Sequence, residues 1–443
     1  MKVFIKLLVL VMILSVPLSV SAGTMEDYEQ ALKIRLSAAA CLASYSSPNG
    51  SLVTELAKRE GWKIEKFERV ADNADVQFVL ASNTGLRQGA NTYLLAVAGT
   101  ESNQDMRVDL RVKKVYFAGS TLEEFAANAA RDDVPRDAPR VHEGFNQVTQ
   151  LLLSVAMEHP LKPGSPRKLL TELLQENPQD KIYLVGHSLG GAAVTLAAAR
   201  LIDMGVKSEQ MEVITFGAPT AGNEAFVQQY TDKFTLTPIV MDGDPVPVAL
   251  RRVYGGYRDL GQKVVWKAPE ALKPYSRHDM KGYLDVASKY FLTAQRQAER
   301  AGLLPLPEPI SGQPRLYVAP IQDSLPNELQ GEWVFMRQIL LQRYEDISPG
   351  FILDPGAEYY AAAREKALAA GCELMVAPEI KAVKFQNDFY TVTLNQKVYR
   401  VKDGELISEG TYSTDTREVT PMQALNFVSR IMDKESAAWK NPK

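Results

Sequence analysis

Over residues 25–45 apolar side chains recur at the three- to four-residue spacing of a helix face, and Pro48-Asn49-Gly50 marks where that helix stops. Val76-Gln-Phe-Val-Leu80 and Tyr93-Leu-Leu-Ala-Val-Ala98 are short apolar runs joined by a turn rich in Gly and Asn, which predicts two strands. Lys181-Ile-Tyr-Leu-Val185, Met211-Glu-Val-Ile-Thr-Phe216 and Pro238-Ile-Val-Met241 repeat the signal, and helical stretches separate them. Strands that are apolar throughout, alternating with helices, predict a mostly parallel sheet covered on both faces, an α/β class fold.

The pattern changes after residue 300. Prolines stand at 305, 307, 309, 314, 320 and 326, a density hostile to helix interiors and central strands, so a linker is expected over 301–326. Beyond it, residues 328–344 and 358–370 have helical periodicity, the second ending at Gly371. Residues 380–385, 389–394 and 397–401 alternate with period two, and Asn387-Asp388 and Asp403-Gly404 supply turns. The expected organisation is therefore a signal segment (1–22), an α/β domain (23–300), the linker (301–326) and a smaller α+β module (327–443). No internal repeat or low-complexity tract interrupts it.

The signal segment rests on Lys2 and Lys6, an apolar run over 7–20 broken by Pro17, and the small residues Ser21-Ala22-Gly23. A membrane span needs roughly 18 or more uninterrupted apolar residues, so cleavage after Ala22 and a secreted or periplasmic product are expected, with no integral span in the mature chain. The formal net charge of −3 gives no basic face for nucleic acid. Cys41 and Cys372 are the only cysteines, too few for a disulfide scaffold; export permits a bridge, but the small-residue helix around Cys41 suits a buried free thiol better.

The candidate chemistry centres on Gly186-His187-Ser188-Leu189-Gly190. This pentapeptide joins a strand to a helix opened by Gly190-Gly191-Ala192-Ala193, where small residues let the two elements approach and leave Ser188 on a sharp, strained turn. The plain alternative is a strand-end turn with a serine cap. A serine hydroxyl attacks a carbonyl only with a base in hydrogen-bond reach and donors for the oxyanion. Histidines occur at 142, 159, 187 and 278, and in a Ser, acid, His order only His278 follows Ser188. Asp242 and Asp244, just after the 238–241 strand, are both candidates for the acid; either could equally be a turn residue in Asp-Gly-Asp-Pro.

Together, the full elbow Gly186-His-Ser-Leu-Gly-Gly-Ala192, the segment Thr215-Phe-Gly-Ala-Pro-Thr-Ala-Gly-Asn-Glu-Ala-Phe226, Asp244-Pro-Val-Pro247 and Val141-His-Glu-Gly-Phe145 resemble the class 3 (fungal type) lipases, over residues 30–290. The resemblance implies an α/β-hydrolase fold, Asp244 as acid, His278 as base, and Thr100, after Gly99, as an oxyanion-hole donor with Leu189 giving the second N–H. It implies hydrolysis of carboxylic esters, acylglycerols first, with phospholipase A1 and feruloyl-type esterases on the same scaffold, and no metal or organic cofactor. The partner expected is an ester or lipid substrate, with transient contact to a lipid surface. A non-catalytic binding protein on a hydrolase fold is the alternative of a different class. Ala98 stands where the family usually has arginine and Met106 where tryptophan is common, both beside the oxyanion loop.

Residues 101–109 are polar, and Met106, Val108, Leu110 and Val112 alternate with charged residues, so no apolar helical face suitable for a lid is expected there. Ser120-Thr-Leu-Glu123 has capping-box spacing, and Leu122, Phe125, Ala126 and Ala129 would share a face; residues 119–140 are thus either a small lid or a fixed insertion.

Overall fold

The computed structural model describes residues 18–59, 61–71, 74–87, 89–99, 113–273, 275–305, 307–354, 356 and 360–440. Packing divides them into two units: residues 33–268 with 276–284, and residues 269–275 with 285–440 and the described part of Met1–Leu32.

The first unit is built on seven strands that neighbour each other in chain order: β1 (Lys63–Ala71), β2 (Ala74–Arg87), β3 (Ala90–Val97), β4 (Lys181–His187), β5 (Met211–Phe216), β6 (Thr235–Met241) and β7 (Val264–Trp266). The pairs β1–β2 and β2–β3 are antiparallel, and every pair from β3 to β7 is parallel. Parallel neighbours need a crossover, and the crossovers carry helices, so the apolar strands read from the sequence are covered as expected. This mostly parallel sheet covered by helices fits the expected α/β-hydrolase fold. The helices used below are α1 (Leu18–Ser44), α2 (Leu122–Ala129), α3 (Glu143–Leu153), α4 (Leu189–Asp203) and α5 (Met280–Arg300). Every residue of α4 from Gly190 to Leu201 is buried, and the helix lies against β3, β4, β5 and α3. Its Gly and Ala content is what that burial requires, since larger side chains would hold the helix away from the sheet.

The second unit has strands β8 (Leu316–Val318), β9 (Gln322–Ser324), β10 (Ile352–Leu353), β11 (Leu374–Lys384), β12 (Tyr390–Arg400) and β13 (Leu406–Asp415), in the order β10-β8-β11-β12-β13 with β9 also on β11. Helices α6 (Trp333–Ile347) and α7 (Pro421–Lys440) pack together, and α7 lies on β12 and β13. The α+β reading therefore holds, with three differences. The runs at 389–394 and 397–401 are one strand, because alternation continues through Asn395 and Gln396; the Gln396 side chain is buried and accepts from the Tyr344 hydroxyl at 3.2 Å. Strand β13 had no apolar signature because it is largely polar and sits at an edge.

The third difference is the boundary expected at 300/301. From Asp285 onward α5 packs in the second unit: Phe291 and Leu292 share a cluster with Met422, and buried Lys289 lies 2.6 Å from both Asp285 and Glu332. The expected linker also contains β8 and β9. Pro314 and Pro320 flank β8 rather than interrupt it, so its ladder loses no donor, and Leu316, Tyr317 and Val318 are buried. Among the described residues no helix is long and apolar enough to cross a membrane; most of the 7–20 run lies outside them. Cys41 and Cys372 are free and buried.

In the 119–140 insertion the expected helix is docked against the first unit's core. This helix, α2, is capped by Thr121 rather than Ser120: the Thr121 hydroxyl accepts from Glu124 N–H at 3.2 Å, while the Glu124 carboxylate accepts from Ser120 N–H at 2.7 Å. Phe125 is fully buried, and with Phe117 it encloses the Arg200 guanidinium, which lies 3.5 Å from the Phe117 centroid and 3.9 Å from that of Phe125. No hydrogen-bond acceptor among the described residues meets the three Arg200 nitrogens, and burial lowers its pKa to about 10. The ring faces are thus its main compensation, worth about 2 kcal/mol when desolvated. Swinging α2 outward would expose Phe125 and uncover that charge. Phe125→Ala is accordingly expected to destabilise the chain by roughly 3–5 kcal/mol in urea unfolding with an unchanged slope; a true lid would leave stability intact and change only turnover at lipid surfaces.

Candidate active site

Strand β4 ends at His187 and α4 begins at Leu189, so Ser188 alone turns the chain, at φ 56° and ψ −129°. A non-glycine residue there costs about 1–3 kcal/mol and persists only where its surroundings over-determine it. Here the Ser188 N–H donates to Phe216 O at 2.9 Å, tying the turn to β5. The flanking glycines supply the room. A Cβ at Gly186 would stand 2.4 Å from Gly190 O, and one at Gly190 2.4 Å from Val97 O.

The Ser188 hydroxyl lies 2.8 Å from His278 Nε2, and His278 Nδ1 lies 2.8 and 3.0 Å from the two carboxylate oxygens of Asp244. All three side chains are buried. Of the two aspartates left open by the sequence, Asp244 meets the imidazole; Asp242 is exposed and its N–H donates to Trp266 O. Two further donors hold the Asp244 carboxylate: Val246 N–H at 2.9 Å and the Tyr283 hydroxyl at 2.6 Å, itself accepting from Met241 N–H at 2.9 Å. Tyr283, on the first turn of α5, has no signal in the sequence. Gly217 does, within Thr-Phe-Gly-Ala-Pro: at φ 59°, a Cβ there would lie 2.8 Å from Asp244 Oδ2 and 3.0 Å from His278 Nδ1.

Leu189 is the first residue of α4, so its N–H has no acceptor within the helix and is available to a developing negative charge. Thr100, the other expected donor, and Met106 lie outside the described residues; Gly99 is described, and its N–H donates to the Tyr45 hydroxyl at 2.8 Å. His142 caps α3, its Nδ1 accepting from Phe145 N–H at 3.4 Å, and burial, aided by the Lys114 charge, depresses its pKa to about 4. Burial and the neighbouring His278 likewise hold His187 well below the ordinary histidine range. Among the described residues no cluster of His, Cys, Asp and Glu could hold a metal ion.

Residues 94–253 match the family model described as Lipase (class 3). That segment is similar to the class 3 lipases. The chain is 35% identical over 80 residues to the secreted mono- and diacylglycerol lipase A of Penicillium cyclopium, covering 18% of this chain and 26% of that protein. With the secreted mono- and diacylglycerol lipase 1 of Fusarium solani it shares 40% over 83 residues, 18% of this chain and 24% of the relative. It thus spans about a quarter of the length of these relatives. Among solved structures, the Rhizomucor miehei lipase propeptide complex aligns over 54% of this chain and 68% of that one, at 18% identity and a TM-score of 0.39. The family match ends at residue 253, so His278 and Tyr283 lie beyond it.

Two outcomes follow from this geometry. Gly217→Ala is expected to lower kcat on the order of 10²-fold, the usual effect of a misplacement near 1 Å, because its methyl group displaces the His278–Asp244 pair; steady-state kinetics on the folded variant reads this. The second concerns acid. Below about pH 6.5 the unfolded chain protonates His142 while the fold refuses the proton down to about pH 4, so stability is lost as pH falls through that window, by up to roughly 3 kcal/mol. Urea unfolding at pH 7 and pH 4.5 should show the drop, and His142→Gln should flatten it.

Proposed function

We propose that this protein is an exported serine ester hydrolase acting on carboxylic esters of the acylglycerol class. The observation that carries the reading is the continuous Ser188–His278–Asp244 hydrogen-bond chain at a strained strand-to-helix turn, within the segment similar to the class 3 lipases. In this mechanism Ser188 Oγ attacks the ester carbonyl as His278 Nε2 takes its proton. Asp244 keeps the imidazole in the Nδ1–H tautomer and stabilises the imidazolium that forms. The tetrahedral oxyanion receives N–H donors from Leu189 and Thr100. Collapse breaks the ester C–O bond as His278 returns the proton to the leaving alcohol, and water, activated by the same imidazole, then releases the acid from Ser188.

The acylglycerol class follows the relatives, named for mono- and diacylglycerol hydrolysis and as secreted. Export agrees with Lys2, Lys6 and the apolar run behind them. The face of α2 is small and its one large buried side chain, Phe125, is packed inward, so soluble short-chain esters are suitable first substrates. A fluorophosphonate probe should label wild type and fail on Ser188→Ala. Ser188→Ala and His278→Ala should each reduce hydrolysis of p-nitrophenyl butyrate and tributyrin on the order of 10⁶-fold, and Asp244→Asn roughly 10⁴-fold through the wrong tautomer. A folded wild type that neither labels nor turns over any ester would favour the non-catalytic reading.

A further inference from the structure

The elbow histidine, His187, has no role in the mechanism above, yet it is buried between two polar partners. Its Nε2 is 2.8 Å from the backbone carbonyl oxygen of His278, and its Nδ1 is 2.5 Å from the hydroxyl of Tyr45, the residue that follows α1. The same hydroxyl accepts the Gly99 N–H at 2.8 Å. The imidazole also lies against the His278 ring, with centroids 4.7 Å apart.

Chemistry fixes the direction of every bond in this chain. A carbonyl oxygen only accepts, so Nε2 carries the proton. Burial and the adjacent His278 disfavour a second proton on the ring, so Nδ1 is a lone pair. Tyr45 must then donate its hydroxyl proton to Nδ1, leaving its oxygen to accept from Gly99. The sequence is Gly99 N–H to Tyr45 oxygen, Tyr45 O–H to His187 Nδ1, and His187 Nε2–H to His278 O. Its two ends are the residue before Thr100 and the backbone of the candidate base. The fit at Gly99 is close, since a Cβ there would stand 2.7 Å from Ser188 Cβ and 3.0 Å from the Tyr45 oxygen.

We propose that Tyr45 and His187 form a positioning relay that sets the oxyanion strand end and the His278 backbone in register across Ser188. The proposal rests on the serine hydrolase reading. Neither residue touches the reacting atoms; the relay acts by fixing where the oxyanion donors stand relative to the imidazole that moves the proton. Such an interaction matters most in the transition state, when charge on the carbonyl oxygen and on His278 develops together. Loss of the Tyr45 hydroxyl cuts the link between the two ends, releasing Gly99 directly and leaving His187 held only at His278 O, and misplacement of about 1 Å costs on the order of 10²-fold.

Tyr45→Phe keeps the ring and removes the hydroxyl. With p-nitrophenyl butyrate, kcat is expected to fall about 10- to 100-fold while KM stays within about twofold. His187→Asn should lose at least as much, and the double variant no more than His187→Asn alone, because the two residues act as one chain. Independently, two-bond ¹H–¹⁵N spectra of the imidazoles in Ser188→Ala protein should show His187 as the Nε2–H tautomer at neutral pH. A folded Tyr45→Phe protein with unchanged kcat, additive losses in the cycle, or an Nδ1–H tautomer would each overturn the relay. If Tyr45→Phe does not fold, or wild type hydrolyses no ester, the tautomer decides it, whereas an inactive wild type alone counts against the proposed function.

Discussion

The backbone of Ser188 is the constraint on which the first unit depends. A positive φ at a residue with a side chain exists only where strand and helix are held hard against each other, and the cost falls on their neighbours. Gly186 and Gly190 accommodate it directly, and Gly191 would carry its Cβ to 2.7 Å from that of Ala218. Further along α4, small side chains continue the close approach, which is why that helix is buried from Gly190 to Leu201. The same close packing brings the ends of β3, β5 and β6 around the serine. Phe216 O takes its N–H, Gly99 lies beside its Cβ, and Asp244 follows β6 after a two-residue gap.

A second requirement follows from burying an acid beside a base. An isolated carboxylate in such a place would neutralise itself by taking up a proton. Asp244 instead receives N–H or O–H donors from His278, Val246 and Tyr283. Tyr283 in turn accepts from Met241 N–H at the end of β6, so the acid is held from its own strand and from α5. Gly217 leaves the space in which the imidazole and the carboxylate meet. Each component is ordinary; their convergence satisfies the buried carboxylate's oxygens and aims it at the His278 imidazole.

This division between local and convergent features explains what the sequence showed. The central strands were legible because both faces of each are apolar, and Ser188 because the glycines around it are a local backbone requirement. His278 was legible by order along the chain. The choice between Asp242 and Asp244 was not a local property: two residues apart after one strand, they differ in burial, which depends on β7 and α5. Tyr45 and Tyr283 gave no signal, since a tyrosine at a helix end is common and its partner lies 142 residues away in the first case and 39 in the second. Strand β13 escaped for the opposite reason, its polarity concealing a long ladder with β12.

The insertion before α3 shows how the far end of α4 is fixed. Its N-terminus is fixed by Ser188; toward its C-terminus Arg200 enters the core with an arginine charge and no hydrogen-bonded acceptor among the described residues. The nearest carboxylate oxygen, on Asp203, is 3.7 Å away, and Asp203 itself takes a 2.7 Å hydrogen bond from the Tyr230 hydroxyl. Aliphatic packing alone would leave such a guanidinium far from compensated. Phe117, just after the short strand Lys114–Tyr116, and Phe125 on α2 supply two ring faces, and Phe117 meets Phe226 and Tyr230 edge-on. The charge therefore depends on α2 being docked, and α2 depends on the charge for part of its attachment. An insertion bound in this way braces the helix that follows Ser188, so the turn at one end of that helix and the aromatic enclosure at the other hold it against the sheet.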